Sequence, residues 1–452
     1  MTDVLVIGAG PAGMSAAIRL QAHGLAVTVV DDQPAPGGRI FTAIETRRPH
    51  GTDDRWGADL VARFRAQGGE YLPATEVWQI DRGPRVFLSN EGQARMVDPR
   101  FVLLATGAQE RPMAFEGWQL PGVMTVGGAQ ILLKAAREIP QEPVWLAGSG
   151  PLLLLYARQL MQAGGRIAGI LDTSPEGSVR HAAPHLPEAL GYGWRDLARG
   201  LGWILCMRGI TVVRRVSTIE AVGEERLESV RYKTRDGTSG EVRTGLLFVH
   251  DGVVPGVHTT MSAGCAHRWN RVQQTFEPIL DRFGASSDPT IYVAGDGATI
   301  AGARAATLSG QLAAIGITQA AGLVHEEAAE KLARPLRRKL KSAAGFRRFI
   351  DALYPPASLT LADGTLVCRC EEVTARQVRD VLTGRPNLGP DGIKADTRAG
   401  MGPCQGRQCG LTLTRLVAET HGQSPEQIGF LRIRPPLKPL TLVELAGLET
   451  AC

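Results

Sequence analysis

Asp3-Val-Leu-Val-Ile7-Gly8-Ala-Gly10-Pro-Ala12-Gly13 opens the chain and sets its architecture. Residues 3–7 form a short, mostly apolar run of the kind that makes a buried parallel strand. The glycine-rich turn follows, then helical periodicity over residues 14–22, then a second apolar run over 26–30 with Asp31 at its end. This is a complete βαβ unit with a dinucleotide fingerprint in its proper context. Gly8 permits the tight turn, Gly10 lets the backbone approach a pyrophosphate, and Gly13 lets helix and strand pack closely. The helix N-terminus offers unpaired N–H groups and a positive dipole end to phosphates, and Asp31 is placed to accept from ribose hydroxyls.

The bulk properties bound what else the chain can be. Its 452 residues suffice for roughly two to four domains. A net charge of +5 gives no argument for a nucleic-acid partner. No segment has the apolar length of a membrane span, and Met1-Thr-Asp-Val runs into a strand with no basic leader before it. The expected location is therefore cytoplasmic, with peripheral attachment to the inner face of a membrane, through partners, as an option. Of seven cysteines, Cys206, Cys265 and Cys452 are scattered and read as incidental or buried thiols rather than a disulfide scaffold. The first 360 residues contain no Cys-x2-Cys or Cys-x4-Cys, so the dithiol relay of flavin disulfide reductases is missing.

Three later segments join the opening one. Pro36-Gly37-Gly38-Arg39 follows Asp31, Leu103-Leu-Ala105-Thr106-Gly107 ends a strand, and Thr290-Ile-Tyr-Val-Ala-Gly295-Asp296 ends another before a small-residue helix over 301–314. In this order the four segments resemble the two-dinucleotide-domain flavoproteins of the thioredoxin reductase-like group. The resemblance implies FAD, with Asp296 on the ribityl chain and the following helix aimed at the flavin pyrimidine. The expected contacts are Gly8, Gly10, Ala12, Gly13, Asp31, Asp32, Gln33, Gly38, Arg39, Val77, Ala105, Thr106, Gly107, Gly295 and Asp296.

A second glycine turn lies between the two FAD segments. A strand over 143–147 leads to Gly148-Ser-Gly150-Pro-Leu-Leu153, a helix over 156–163 and a strand over 166–171 with Asp172 at its end. Leu153 stands where a third glycine is expected and is placed to crowd helix against strand. Asp172 favours NAD over NADP, because its charge repels a 2′-phosphate. Gly148, Gly150 and Asp172 are thus the candidate contacts of a second nucleotide. The alternative is a domain that keeps the shape without exchanging hydride.

The C-terminal third changes character. Lys331, Arg334, Arg337, Arg338, Lys339, Lys341, Arg347 and Arg348 are interleaved with Leu332, Leu336 and Leu340 at helical spacing. This reads as a basic amphipathic linker, split by Pro335 at the start of a second helix and ended by Tyr354-Pro-Pro356. Then come Cys368-Arg-Cys370 and Gly400-Met-Gly-Pro-Cys404-Gln-Gly-Arg-Gln-Cys409-Gly, with Thr374 as the cap of a helix over 375–382. Four thiolates suit an iron–sulfur cluster or zinc. Cys-x-Cys is too tight for a zinc knuckle, and a flavin in the same chain gives iron something to exchange electrons with. All four ligands are expected in turns or near helix starts, and no histidine stands as a ligand.

The phrase GMGPCQGRQCG resembles the bacterioferritin-associated-ferredoxin-like [2Fe-2S] domain. The whole chain resembles the large flavoprotein A (alpha) subunit of heteromeric opine, D-hydroxyproline and L-proline dehydrogenases and of hydrogen cyanide synthase. Gly117-Trp-Gln-Leu-Pro-Gly-Val-Met124, Gly127-Gly-Ala-Gln130 and Gly264-Cys-Ala-His-Arg-Trp269 carry the similarity along with the cofactor motifs. The expected fold is α/β: two Rossmann-like dinucleotide-binding domains, the second inserted in the first, plus a small helical C-terminal [2Fe-2S] domain. The expected divisions are 1–115 with 275–325 for FAD, 116–274 for the second domain, 326–362 for the linker, 363–425 for the cluster and 426–452 for a tail.

The resemblance implies an electron-transfer subunit of an amino-acid or opine dehydrogenase. Substrate is oxidised on a D-amino-acid-oxidase-like flavoprotein beta subunit, and a small ferredoxin-like [2Fe-2S] gamma subunit is a further candidate partner. FMN at a subunit interface, or a nucleotide in the second domain, are candidate extra cofactors. The sequence offers no constellation of His, Tyr or Arg around the flavin for binding an amino acid. The other readings are a self-sufficient NAD(P)H-dependent reductase that feeds its own cluster, and a scaffold with a nucleotide in a dead pocket.

Overall fold

Four fully buried residues in a row make β1 (Val4–Ile7) a strand that must be covered on both faces. In a computed structural model, which describes residues 2–49, 51–357 and 359–448, β1 lies at the centre of a five-stranded parallel sheet. The order is Ile291–Val293, Phe101–Leu104, β1, β2 (Val27–Val30), Glu70–Leu72. β1 pairs in register with β2 on one side and with Phe101–Leu104 on the other. The chain thus leaves this sheet and returns to it for the strand Ile291–Val293 after the second nucleotide-like unit.

Glycine and alanine hold the first layer together. Helix α1 (Pro11–Ala22) packs against the helix Ala303–Ala320, and a Cβ on Gly310 would come within 2.1 Å of the Ala12 carbonyl oxygen. The small-residue character of the second helix is therefore a packing requirement of this close crossing. Its boundaries run later than the sequence pattern indicated, to Ala320.

The second sheet is also five-stranded and parallel, ordered Thr211–Val213, Ile167–Asp172, Val144–Gly148, Leu247–His250, Val123–Thr125. Two three-stranded antiparallel sheets flank the parallel ones, over residues 75–97 and 216–243. Ala108–Glu110 and Val253–Pro255 pair antiparallel where the chain crosses between the two parallel sheets. Arg111 fixes that crossing: its buried guanidinium donates to the carbonyls of Asp251, Gln273 and Gln274.

Two expectations about the C-terminal third are corrected. Pro335 does not split the basic segment; Glu326–Leu353 is one helix that runs through it. Proline lacks only one N–H and its φ is helical, so packing can outweigh its cost. Here Ala329, Ala333 and Leu336 are buried with Phe283, Leu312 and Ile315, and the helix also packs on Leu186–Cys206. The 426–452 segment is not a loose tail in its described part: Leu437 donates its N–H to the Trp78 carbonyl, and Lys438 pairs with Glu76 at 2.7 Å. Among the described residues no helix is long and apolar enough to cross a membrane. Cys452 lies outside the described residues, Cys206 is exposed and Cys265 is buried.

Candidate active site at the flavin cavity and cysteine cluster

The glycine turn after β1 opens onto a cavity of about 520 Å³. Gly8 sits at φ +108°, and a Cβ there would lie 2.4 Å from the Ala105 carbonyl oxygen, so the turn and the Ala105-Thr-Gly107 strand end can approach this closely only with glycine. Gly10 differs: a Cβ there would meet nothing nearer than 3.9 Å, which leaves its backbone facing open space. Helix α1 begins directly after it, with no side chain capping its first-turn N–H groups. That arrangement is a ready anion site.

The structure brings nearly all the sequence-predicted residues to this one cavity. Gly8, Gly10, Ala12, Asp31, Asp32, Gln33, Gly38, Arg39, Val77, Ala105, Thr106, Gly107, Gly295 and Asp296 line it. Gly13 lies behind the wall, where a Cβ would be 1.8 Å from the Gly8 carbonyl oxygen, in the packing role its position suggests. Asp31 accepts from the N–H groups of Ala9 and Gln33. Burial nonetheless dominates and pushes its carboxyl up to about 6. Asp296 accepts from the N–H groups of Ala301 and Gly302 at 2.9 and 3.0 Å, which fixes it at the mouth of the Ala303–Ala320 helix.

Two side chains in the wall were not legible in the sequence. His258 arrives from the short helix His258–Ser262, and Arg407 from the loop between Cys404 and Cys409. Burial and the nearby Arg407 charge drive the His258 imidazole down to about 3, so it is neutral. Its ring leans on the Gly406 backbone, and its Nε2 is buried without a hydrogen-bond partner. Arg407 donates to the carbonyls of Cys404 and Leu437 at 3.3 and 3.0 Å, and its own carbonyl accepts from the Gln109 side chain at 2.9 Å.

The second glycine turn is built differently. Gly148, Gly150 and Asp172 lie outside the 520 Å³ cavity. The His250 ring packs against Gly150, 3.4 Å from where a Cβ would be, and His250 Nδ1 is held by Glu110 at 2.6 Å. Leu153 does not crowd the strand; it is buried among Val126, Tyr156, Leu160 and Phe248 as part of the core. Asp172 accepts from the Ser174 N–H at 2.9 Å.

The four cysteines converge from two short segments. Cys368 ends the strand Leu366–Cys368, contrary to the expectation that every ligand sits in a turn or helix start. Cys409 immediately precedes the helix Gly410–His421, and both it and Cys368 are buried, whereas Cys370 is exposed and Cys404 half-buried. The Cys368 thiol pairs with Cys409, and Cys370 with Cys404. The Cys409 thiol, with the N–H groups of Gly400, Glu371 and Cys370, draws Cys368 down to about 5, and the thiolate next to it pushes Cys409 strongly upward. Among the described residues no three His, Cys, Asp or Glu side chains close on a single-ion site. Thr374 caps Ala375–Leu382 through a full capping box with Gln377.

Both cofactor types fit what the residues present. A flavin dinucleotide finds an open backbone at Gly10, an uncapped helix start and an orphaned buried His258 nitrogen. A [2Fe-2S] cluster finds four sulfur donors with backbone N–H groups aimed at Cys368.

Comparison with known proteins agrees with this geometry. Residues 2–320 match the pyridine nucleotide-disulphide oxidoreductase family, and residues 366–419 match the BFD-like [2Fe-2S] binding domain. The large A-type chain of opine oxidase from Rhizobium meliloti is 42% identical over 99% of this chain and 87% of its own length. The hydrogen cyanide synthase subunit HcnB of Pseudomonas protegens is 30% identical over 96% of each chain. Among solved structures, L-proline dehydrogenase from P. horikoshii shares the fold at a TM-score of 0.71 and 23% identity, over 98% of this chain and 79% of its own. The chain therefore belongs to the pyridine nucleotide-disulphide oxidoreductase family, among the A-type chains of the opine oxidases, and is an FAD-dependent oxidoreductase component that carries a [2Fe-2S] cluster.

Proposed function

We propose that this chain is the electron-transfer component of an amino-acid or opine dehydrogenase complex, taking electrons from a partner flavoprotein and delivering them to a quinone or dye acceptor. One observation supports it most. The Cys404–Cys409 loop, which supplies two of the four thiolates, also forms part of the flavin cavity wall through Arg407. FAD exchanges electrons singly or in pairs, and the [2Fe-2S] cluster exchanges them singly. The protein's part is to set the two sites wall to wall and to surround the sulfurs with N–H donors.

In this reading Gly8, Gly10, Ala12, Gly13 and the Ala303–Ala320 helix hold the flavin dinucleotide. Asp31, Asp32, Gln33, Gly38, Arg39, Val77, Ala105, Thr106, Gly107, Gly295 and Asp296 complete the contacts. Cys368, Cys370, Cys404 and Cys409 hold the cluster. The domain divisions follow: residues 1–115 with 275–325, 116–274, 326–362, 363–425 and 426–452. Substrate loses hydride from its α-carbon on a D-amino-acid-oxidase-like beta subunit, while a ferredoxin-like gamma subunit is a further partner. The complex is cytoplasmic or held peripherally at the inner membrane face.

The first prediction concerns the relay itself. In the complex purified from its host, Cys404→Ser lowers steady-state electron transfer to the acceptor at least tenfold, while the partner's flavin still bleaches with substrate. Unchanged steady-state transfer would sink the relay. A second measurement addresses the self-sufficient reductase. His250 against Gly150 and the Leu153-filled core speak against a working nicotinamide site. NADH mixed anaerobically with the isolated chain should leave the flavin oxidised over seconds; rapid bleaching would favour the reductase.

A further inference from the structure

We propose that His258 is a positioning residue shared by the flavin cavity and the cluster loop: one ring nitrogen holds the Gly406 carbonyl, and the other accepts a hydrogen bond from an N–H of the isoalloxazine ring. The inference rests on the reading that FAD fills this cavity and that the four cysteines carry the cluster.

Three observations carry it. His258 lines the cavity, and its ring has no polar contact except the Gly406 backbone, with Nε2 buried and unsatisfied. An unpartnered buried polar atom costs roughly 1–3 kcal/mol, a penalty that a ligand in the cavity would remove. Second, Gly406 is part of the structure that sets a cluster ligand. Its carbonyl also accepts the Gly410 N–H at 2.7 Å, which closes the turn holding Cys409 at the head of Gly410–His421. Third, the ring is clamped. It stands edge-on to Phe430 at 5.8 Å, and Phe430 in turn fills the space beside Gly410, where a Cβ would lie 2.3 Å from the ring. His258, Phe430 and the 406–410 turn therefore move as one packed unit.

The protonation state fixes the direction of the bonds. A neutral imidazole has one N–H and one lone pair. A carbonyl can only accept, so the N–H goes to Gly406, and the remaining nitrogen can only accept. The partner in the cavity must then be a donor. Isoalloxazine offers one at its N3–H in the oxidised state and another at N5 when reduced.

The test uses the holoprotein reconstituted with FAD labelled with 15N in the isoalloxazine ring, with iron and sulfide content measured on each preparation. In His258→Phe one isoalloxazine N–H resonance moves upfield, as a lost hydrogen bond requires, and the g-values of the dithionite-reduced cluster shift in the same protein. His258→Gln, whose amide can donate to Gly406 and accept from the cavity, brings both signals back towards wild type. If His258→Phe leaves the flavin resonances in place, or moves them while the cluster spectrum stays unchanged, the proposal is wrong. Should the phenylalanine variant fail to accumulate folded, His258→Asn carries the same test, since its shorter amide cannot span both sides. Asn must move at least one of the two signals, and two unchanged signals overturn the idea. Wild-type protein lacking FAD or iron would count against the underlying reading instead.

Discussion

At the scale of single residues, the dinucleotide turn was readable because backbone contact leaves glycine no substitute. Gly8, Gly13 and Gly310 are each pressed against a carbonyl oxygen, and such positions announce themselves in sequence. Asp31 was readable by position, but its chemistry was not. Its carboxyl sits at about 6, chiefly through burial. The folded value lies above the unfolded one of about 3.9, so the folded chain holds more protons between these pH values. Stability of the FAD-free protein therefore declines as pH rises through that window. FAD binding runs the other way, because two ribose hydroxyls need the carboxylate as acceptor. Fluorescence titration of apoprotein should show FAD affinity weakening as pH falls below about 6, and Asp31→Asn should flatten that dependence. An unchanged slope in the variant would rule out Asp31 as the titrating group.

At the scale of elements, local rules worked where a segment decides its own structure and failed where packing decides. The capping box at Thr374 is local, and Ala375–Leu382 begins where it indicates. Pro335 is a local helix breaker, yet Glu326–Leu353 continues through it because Ala333 and Leu336 are buried beneath it against Phe283 and Leu312. Packing thus offsets the lost hydrogen bond at Lys331 without abolishing its cost. Pro335→Ala should stabilise the chain by about 2 kcal/mol, the helix-interior penalty less the unfolded-state rigidity that proline supplies. A higher midpoint in thermal or urea unfolding checks this; a lower one would mean that the proline relieves a bend required by packing. His258 and Arg407 were illegible for a related reason. They lie 149 residues apart in sequence, from His258 to Arg407, and neither sits in a motif that marks it. Only the folded chain brings both to the wall of one cavity.

At the scale of the whole molecule, the cysteine spacing and the glycine turns together defined two redox sites, and their proximity is what the structure adds. The second glycine turn has the outline of a nucleotide site, but His250 and Leu153 fill it in ways only side-chain packing discloses. What remains is one flavin cavity whose wall includes part of the cluster loop, within a chain whose relatives are subunits of larger assemblies. The proposed function requires electrons to pass between flavin and cluster across that shared wall during turnover. Freeze-quench EPR of the native complex mixed with its amine substrate follows that passage as it happens. The reduced [2Fe-2S] signal should rise with flavin bleaching and decay as acceptor is consumed. A cluster that stays oxidised and EPR-silent through complete turnovers would contradict the relay.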